Sequence, residues 1–114
     1  MARRTVIVVD DHAPFRRQAA RLLEAAGYAV VGEAQDGASA LRLAEQVHPD
    51  AVMLDVGLPD ISGFEIARAL GDDADVLLVS SDADAGALAE EREQAFLWKG
   101  ALSTDSLVQA LGAP

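Results

Sequence analysis

Five short apolar runs punctuate the chain: Thr5–Val9, Tyr28–Val31, Ala51–Leu54, Val76–Val79 and Phe96–Trp98. Each reads as a strand, and the run Ala51–Leu54, bounded by turn signals, reads as one buried on both faces, as in a parallel sheet. The stretches between them carry a helical period instead. Phe15, Ala19, Leu22, Leu23 and Ala26 fall on one stripe, with Pro14 in the first turn and Gly27 closing it. Asp36-Gly37 opens a second helix that turns Ala40, Leu41, Ala44 and Val47 inward. Ser62-x-x-Glu65 has the spacing of a capping box and starts a third helix, from about Gly63 to Leu70. A weaker pattern runs from about Ala83 to Glu93, with Ala85, Leu88 and Ala89 as a thin apolar stripe interrupted by Gly86. Ser103 caps a fifth helix that reaches Leu111. Strand and helix therefore alternate throughout. That order predicts an α/β fold, a (βα)5 doubly wound parallel five-stranded sheet with right-handed crossovers and helices on both faces. Strand order 2-1-3-4-5 is the common solution for such sheets, with its crevice beyond strands one and three, although periodicity alone does not select it.

Composition narrows the classes of function. The chain has 114 residues, without an internal linker, repeat or low-complexity segment, and reads as one domain over 1–114. Only five residues are aromatic, so Val, Leu, Ile and Ala must build the core. A net charge of −10 argues against direct nucleic acid binding, which needs a basic face. It suits divalent cations and basic partners better, and a solvated acidic surface is its commoner origin. Without cysteine there is no disulfide or thiol chemistry. No apolar stretch has membrane-spanning length, and the chain enters its first strand with no signal-like segment, so a cytoplasmic protein away from the membrane is expected.

The candidate chemistry sits where the strands end. Asp10-Asp11 follows the first strand, Asp55 ends the third, Ser80 ends the fourth and Lys99 follows the fifth. Taken singly, each has an ordinary reading: a turn carboxylate, a solvated lysine beside an edge strand, a loop serine. In a parallel sheet, however, all of them meet at one edge. Three carboxylates within ~5 Å repel by a few kcal/mol per pair at an effective dielectric of ~20, so the cluster calls for a cation. Oxygen ligands without a nearby His or Cys suit Mg²⁺. Such an ion leaves a coordination position for a phosphoryl oxygen and lets an anionic donor approach Asp55. Lys99 is the sole lysine, a compact point charge suited to a phosphoryl oxygen or a carboxylate. His12 and His48 read as a solvated helix-start residue and a turn residue.

Taken together, these residues resemble the receiver domain of two-component response regulators. The matching motifs are Val9-Asp10-Asp11, Asp55-x-x-Leu58-Pro59-x-x-x-Gly63, Val79-Ser80-Ser81 and Phe96-x-x-Lys99, in order along nearly the whole chain. The resemblance implies a flavodoxin-like sheet and a phosphorelay switch rather than an enzyme in the usual sense. Asp55 would be the phosphate acceptor, with a sensor histidine kinase, a histidine phosphotransfer protein or a small phosphodonor supplying the group. Asp11, Asp55 and the Gly57 backbone carbonyl would hold Mg²⁺, with Asp10 acting through water. Lys99 would pair with the phosphoryl group, Ser80 would move toward it, and Phe96 would be the coupled aromatic. The aspartyl phosphate would be labile. An output domain, an effector protein or a homodimer would read the signal, with no output domain expected within residues 1–114.

The pattern departs from the family between Ser80 and Lys99, which are closer together than usual. A Gly-containing turn before the fifth strand is missing, and Glu90-Glu-Arg-Glu-Gln-Ala95 stands there instead. A short, marginal fourth helix is expected. Three other readings compete with this one. A degenerate receiver would keep the fold and act by contact alone. A haloacid-dehalogenase-like phosphatase would want Asp-x-Asp after the first strand, and a flavodoxin-like cofactor binder would want a Gly- or Ser/Thr-rich loop there.

Overall fold

The computed structural model describes residues 2–114. Its elements alternate: β1 (Thr5–Val9), α1 (Ala13–Ala26), β2 (Ala29–Ala34), α2 (Gly37–Val47), β3 (Ala51–Asp55), α3 (Gly63–Leu70), β4 (Asp75–Ser80), α4 (Ala83–Glu91), β5 (Phe96–Trp98) and α5 (Thr104–Leu111), with a 3₁₀ turn at Lys99–Ala101. All strand pairings are parallel, in the order β2-β1-β3-β4-β5.

The unbroken apolar runs of β1, β3 and β4 follow from burial on both faces, whereas β2 and β5, at the sheet edges, are only partly buried. Along β1, Ile7 and Val9 face one layer while Val6 and Val8 face the other. The first layer is packed by α2, α3 and α4 through Ala40, Ala44, Phe64, Ile66 and Ala89. The second is packed by α1 and α5 through Ala19, Leu23, Leu107 and Leu111. Each fully buried aliphatic side chain contributes about 1.5–3 kcal/mol of transfer free energy, so the central strands carry most of the cohesion.

Several expectations need correcting in detail. Tyr28 precedes β2 rather than opening it. It is fully buried, and its hydroxyl donates to the Gly112 carbonyl. The strand continues to Ala34, past an irregularity where β1 register jumps from Val30 to Gly32. Val31 is skipped there and lies 39% exposed. Val47, expected inward, is 37% exposed at the end of α2, where the helix has rotated past the core.

The fourth helix ends at Glu91, two residues earlier than expected, but its closing turn is present. Glu93 adopts a left-handed backbone at φ 54°. Its N–H donates to the Glu90 carbonyl at 3.1 Å, and the Gln94 N–H donates to Ala89 at 2.8 Å. These two bonds form a Schellman closure with glutamate where glycine usually stands. Gly86 is likewise more than a weak point. A Cβ there would lie 2.9 Å from Trp98 Cζ2 and 3.2 Å from Phe96 Cε1, so its absence lets α4 settle on the aromatic pair of β5.

Candidate functional site

Parallel register brings the predicted residues to one edge. Val9 pairs with Leu54, so the next residues, Asp10 and Asp55, leave their strands at the same level. Asp55 is paired with Val79 and Ser80 with Trp98, which places Ser80 and Lys99 on the neighbouring strands' exits. Carboxylate oxygens of Asp10, Asp11 and Asp55 all lie within 4.8 Å of one another. Lys99 Nζ stands 2.7 Å from Asp10 Oδ2 and 3.5 Å from Asp55 Oδ1.

The turns hold this arrangement in place. Asp10 is fully buried; its Oδ1 accepts from the His12 N–H at 2.8 Å, and its carbonyl accepts from Arg16 Nη1 at 2.7 Å. Arg16 in turn pairs with Glu33 at 3.0 Å, tying α1 to β2 beside the cluster. On the other side, Val56 N–H donates to Val79 and Gly63 N–H donates to Val56. A Cβ on Gly63 would lie 2.8 Å from the Asp55 carbonyl oxygen, so only glycine lets α3 begin this close behind Asp55. The Ser80 hydroxyl oxygen accepts from the Asp82 N–H at 2.9 Å, which leaves its proton free to donate elsewhere.

Electrostatics follow from burial and crowding. Burial, then the charge of Asp10, push the Asp55 carboxyl above its ordinary value, and Lys99 and the Gly57 backbone only partly offset this. Burial works against the Lys99 charge, but the close approach of Asp10 and Asp55 outweighs it and holds the ammonium above the ordinary lysine range. Asp10 Oδ2 is buried with no aligned hydrogen bond; the ammonium serves it as a charge partner, off the hydrogen-bonding line. One ammonium against three carboxylates whose oxygens lie within 4.8 Å of one another leaves an excess of negative charge that suits a small divalent cation.

Asp10, Asp55 and Ser80 are buried, Asp11 is exposed, Lys99 is partly buried, and Gly57 is exposed in the loop after β3. Phe96 does not join the cluster. It packs under α4, edge-to-face with Trp98 at 5.1 Å between ring centres. Two contributors are not evident from the sequence. Asp60, which follows Pro59 and has no role assigned from the sequence, accepts through its carboxylate from the N–H groups of Gly37 at 2.7 Å and Ala38 at 2.9 Å, clamping the β3–α3 loop to the start of α2. Phe15 reads as part of the α1 core stripe, yet its ring centre lies 4.5 Å from Lys99 Nζ.

Comparison with known proteins points one way. A family profile described as "Response regulator receiver domain" matches residues 6–111. Transcriptional regulatory protein YdfI of Bacillus subtilis is 33% identical over 75 residues, covering 65% of this chain and 35% of that protein. Response regulator GacA of Pseudomonas aeruginosa is 44% identical over 66 residues, covering 57% and 31%. The chain thus matches about a third of the length of these curated relatives. The signal receiver domain of response regulator NarL from Mycobacterium tuberculosis superposes with a TM-score of 0.83 at 35% identity, covering 96% of this chain and 94% of that one.

Proposed function

The chain belongs to the response regulator receiver domain family, and on that premise we propose that it is a phosphorylation-dependent signalling switch whose acceptor is Asp55. The observation that carries this reading is the cluster itself: a buried Asp55 with Asp10 and Asp11 within 4.8 Å and the Lys99 ammonium at 3.5 Å. Asp55 acts as nucleophile through its carboxylate oxygen on the phosphorus of a phosphohistidine or small acyl phosphate, and the leaving group departs opposite. Lys99 pairs with the incoming phosphoryl oxygens while keeping Asp10 as its second partner. Ser80 donates a hydrogen bond from its free hydroxyl to the phosphoryl group once that group is in place. Phe96, below α4, registers the accompanying shift. Asp11, Asp55 and the Gly57 carbonyl would hold Mg²⁺, with Asp10 reached through water, and a bound ion would neutralise charge between acceptor and donor. The acyl phosphate hydrolyses in time, so the protein is a signalling element rather than a turnover enzyme.

A phosphatase with its nucleophile after the first strand is disfavoured. Asp10, the residue at that place, is fully buried and committed to the His12 N–H and to Lys99. The donor we propose is a sensor histidine kinase or histidine phosphotransfer protein, and the reader an output domain, an effector protein or a second copy. We place the protein in the cytoplasm, with neither nucleic acid nor membrane bound directly by this domain. Among the described residues, no helix is long and apolar enough to cross a membrane. Intact-mass measurement after acetyl phosphate treatment tests the reading. One phosphoryl group is expected on the wild type with Mg²⁺, and none with a chelator or in Asp55→Asn. Equal labelling of Asp55→Asn would defeat the assignment.

A further inference from the structure

We propose that Phe15 is a positioning residue for Lys99, holding the ammonium at the acceptor through the face of its ring. The inference rests on the reading of Asp55 as phosphoacceptor. Lys99 follows a strand of only three residues and begins a 3₁₀ turn, so short backbone pairing supports it. Lys99 borders a cavity of about 380 Å³ between α1 and the segment after β5, lined also by Gln18, Leu22 and Leu102. A flexible four-carbon side chain beside such a space has room to swing away from the acids. The ammonium nevertheless stands 2.7 Å from Asp10 and 3.5 Å from Asp55, with the Phe15 ring centre 4.5 Å away as an aromatic wall. Within ~6 Å of an aromatic centroid a cation is attracted to the ring quadrupole, whereas an aliphatic side chain would only fill space.

That distinction matters when Asp55 becomes modified. The ammonium must then exchange a carboxylate oxygen for a phosphoryl oxygen without leaving the site. A hydrogen bond to one atom would resist this exchange. Attraction to a ring face changes slowly with small displacements, so Phe15 can hold the cation before and after. Because α1 starts directly behind Asp10-Asp11-His12, the ring is fixed relative to the same acids that Lys99 serves.

Lys99 is the sole lysine, so ¹³C-lysine labelling gives a single side-chain spin system. In the wild type, the ε-methylene protons should appear upfield of free lysine because of the ring current. Phe15→Leu should return them toward the free position and slow Mg²⁺-dependent labelling by acetyl phosphate about two- to five-fold. Phe15→Tyr, which keeps the ring, should retain the shift and recover most of the rate. The proposal is overturned by free-lysine shifts in the wild type, by a wild-type rate in Phe15→Leu, or by equal slowing in Leu and Tyr variants. Wild type that takes up no phosphoryl group at all would overturn the acceptor reading instead. The lysine shift, measured without any substitution, would still decide where the ammonium sits.

Discussion

In the turn that closes α4, Glu93 holds a left-handed backbone at φ 54°. A side chain with a Cβ pays about 1–2 kcal/mol for that conformation, and a negative charge at a helix C-terminus adds to the penalty. Glycine removes both costs but gives part of the gain back as chain entropy. Glu93→Gly should therefore stabilise the fold by up to about 1 kcal/mol in urea denaturation, and a loss of stability would show that Glu93 has a compensating partner. Asp55 stores strain of another kind. Its carboxyl is pushed up, so the folded state binds this proton more tightly than the unfolded chain does. Stability from this group thus falls as pH rises from the ordinary carboxylate range through the raised value. Asp55→Asn should melt above the wild type at neutral pH without Mg²⁺, and the gap should close toward pH 4 or on adding the ion. A gap independent of pH would contradict burial and crowding as its cause. Asp55 and Lys99 were legible in the sequence because strand ends give them fixed addresses. Phe15 was not, since an aromatic on an amphipathic stripe looks the same whether it packs on leucine or on an ammonium.

Among the elements, the β3–α3 loop depends on contacts distant in sequence. Asp60 reaches the start of α2, and the backbone N–H groups of Gly37, then Ala38, hold its carboxyl below the ordinary range. A lowered carboxyl contributes stability that is complete above the ordinary value and lost as pH falls through the lowered one. Asp60→Ala should lower the melting temperature at pH 7, with the difference from wild type shrinking in acid below that range; a constant difference would mean the clamp is not ionic. Helix α4 shows the opposite kind of surprise. Its thin stripe was evident, but its closure was not, because the left-handed position carries Glu rather than Gly or Asn, the residues that announce such turns. The strand order and the division of helices between two faces emerge from packing rather than from the period of any one segment. The extent of β2 was hidden similarly: Gly32-Glu33-Ala34 lacks an apolar run, yet pairs with β1 along the edge of the sheet.

For the whole molecule, the proposed function rests on one edge where four strands bring together Asp55, two further acids, the Ser80 hydroxyl and the Lys99 ammonium. Removing Asp11 should weaken Mg²⁺ binding more than removing Asp10, since Asp11 is solvent-exposed while Asp10 already serves Lys99 and the His12 N–H. Calorimetric titration of Asp11→Ala and Asp10→Ala decides this, and equal losses would count against the division of labour. The central claim concerns which carboxylate becomes modified among the 19 acidic side chains. Borohydride reduces an aspartyl phosphate to homoserine, which marks the acceptor permanently for peptide sequencing by mass spectrometry. After acetyl phosphate and Mg²⁺, homoserine is expected at position 55 alone. Homoserine at any other position, or at none while the protein remains folded and Mg²⁺-bound, would contradict the account.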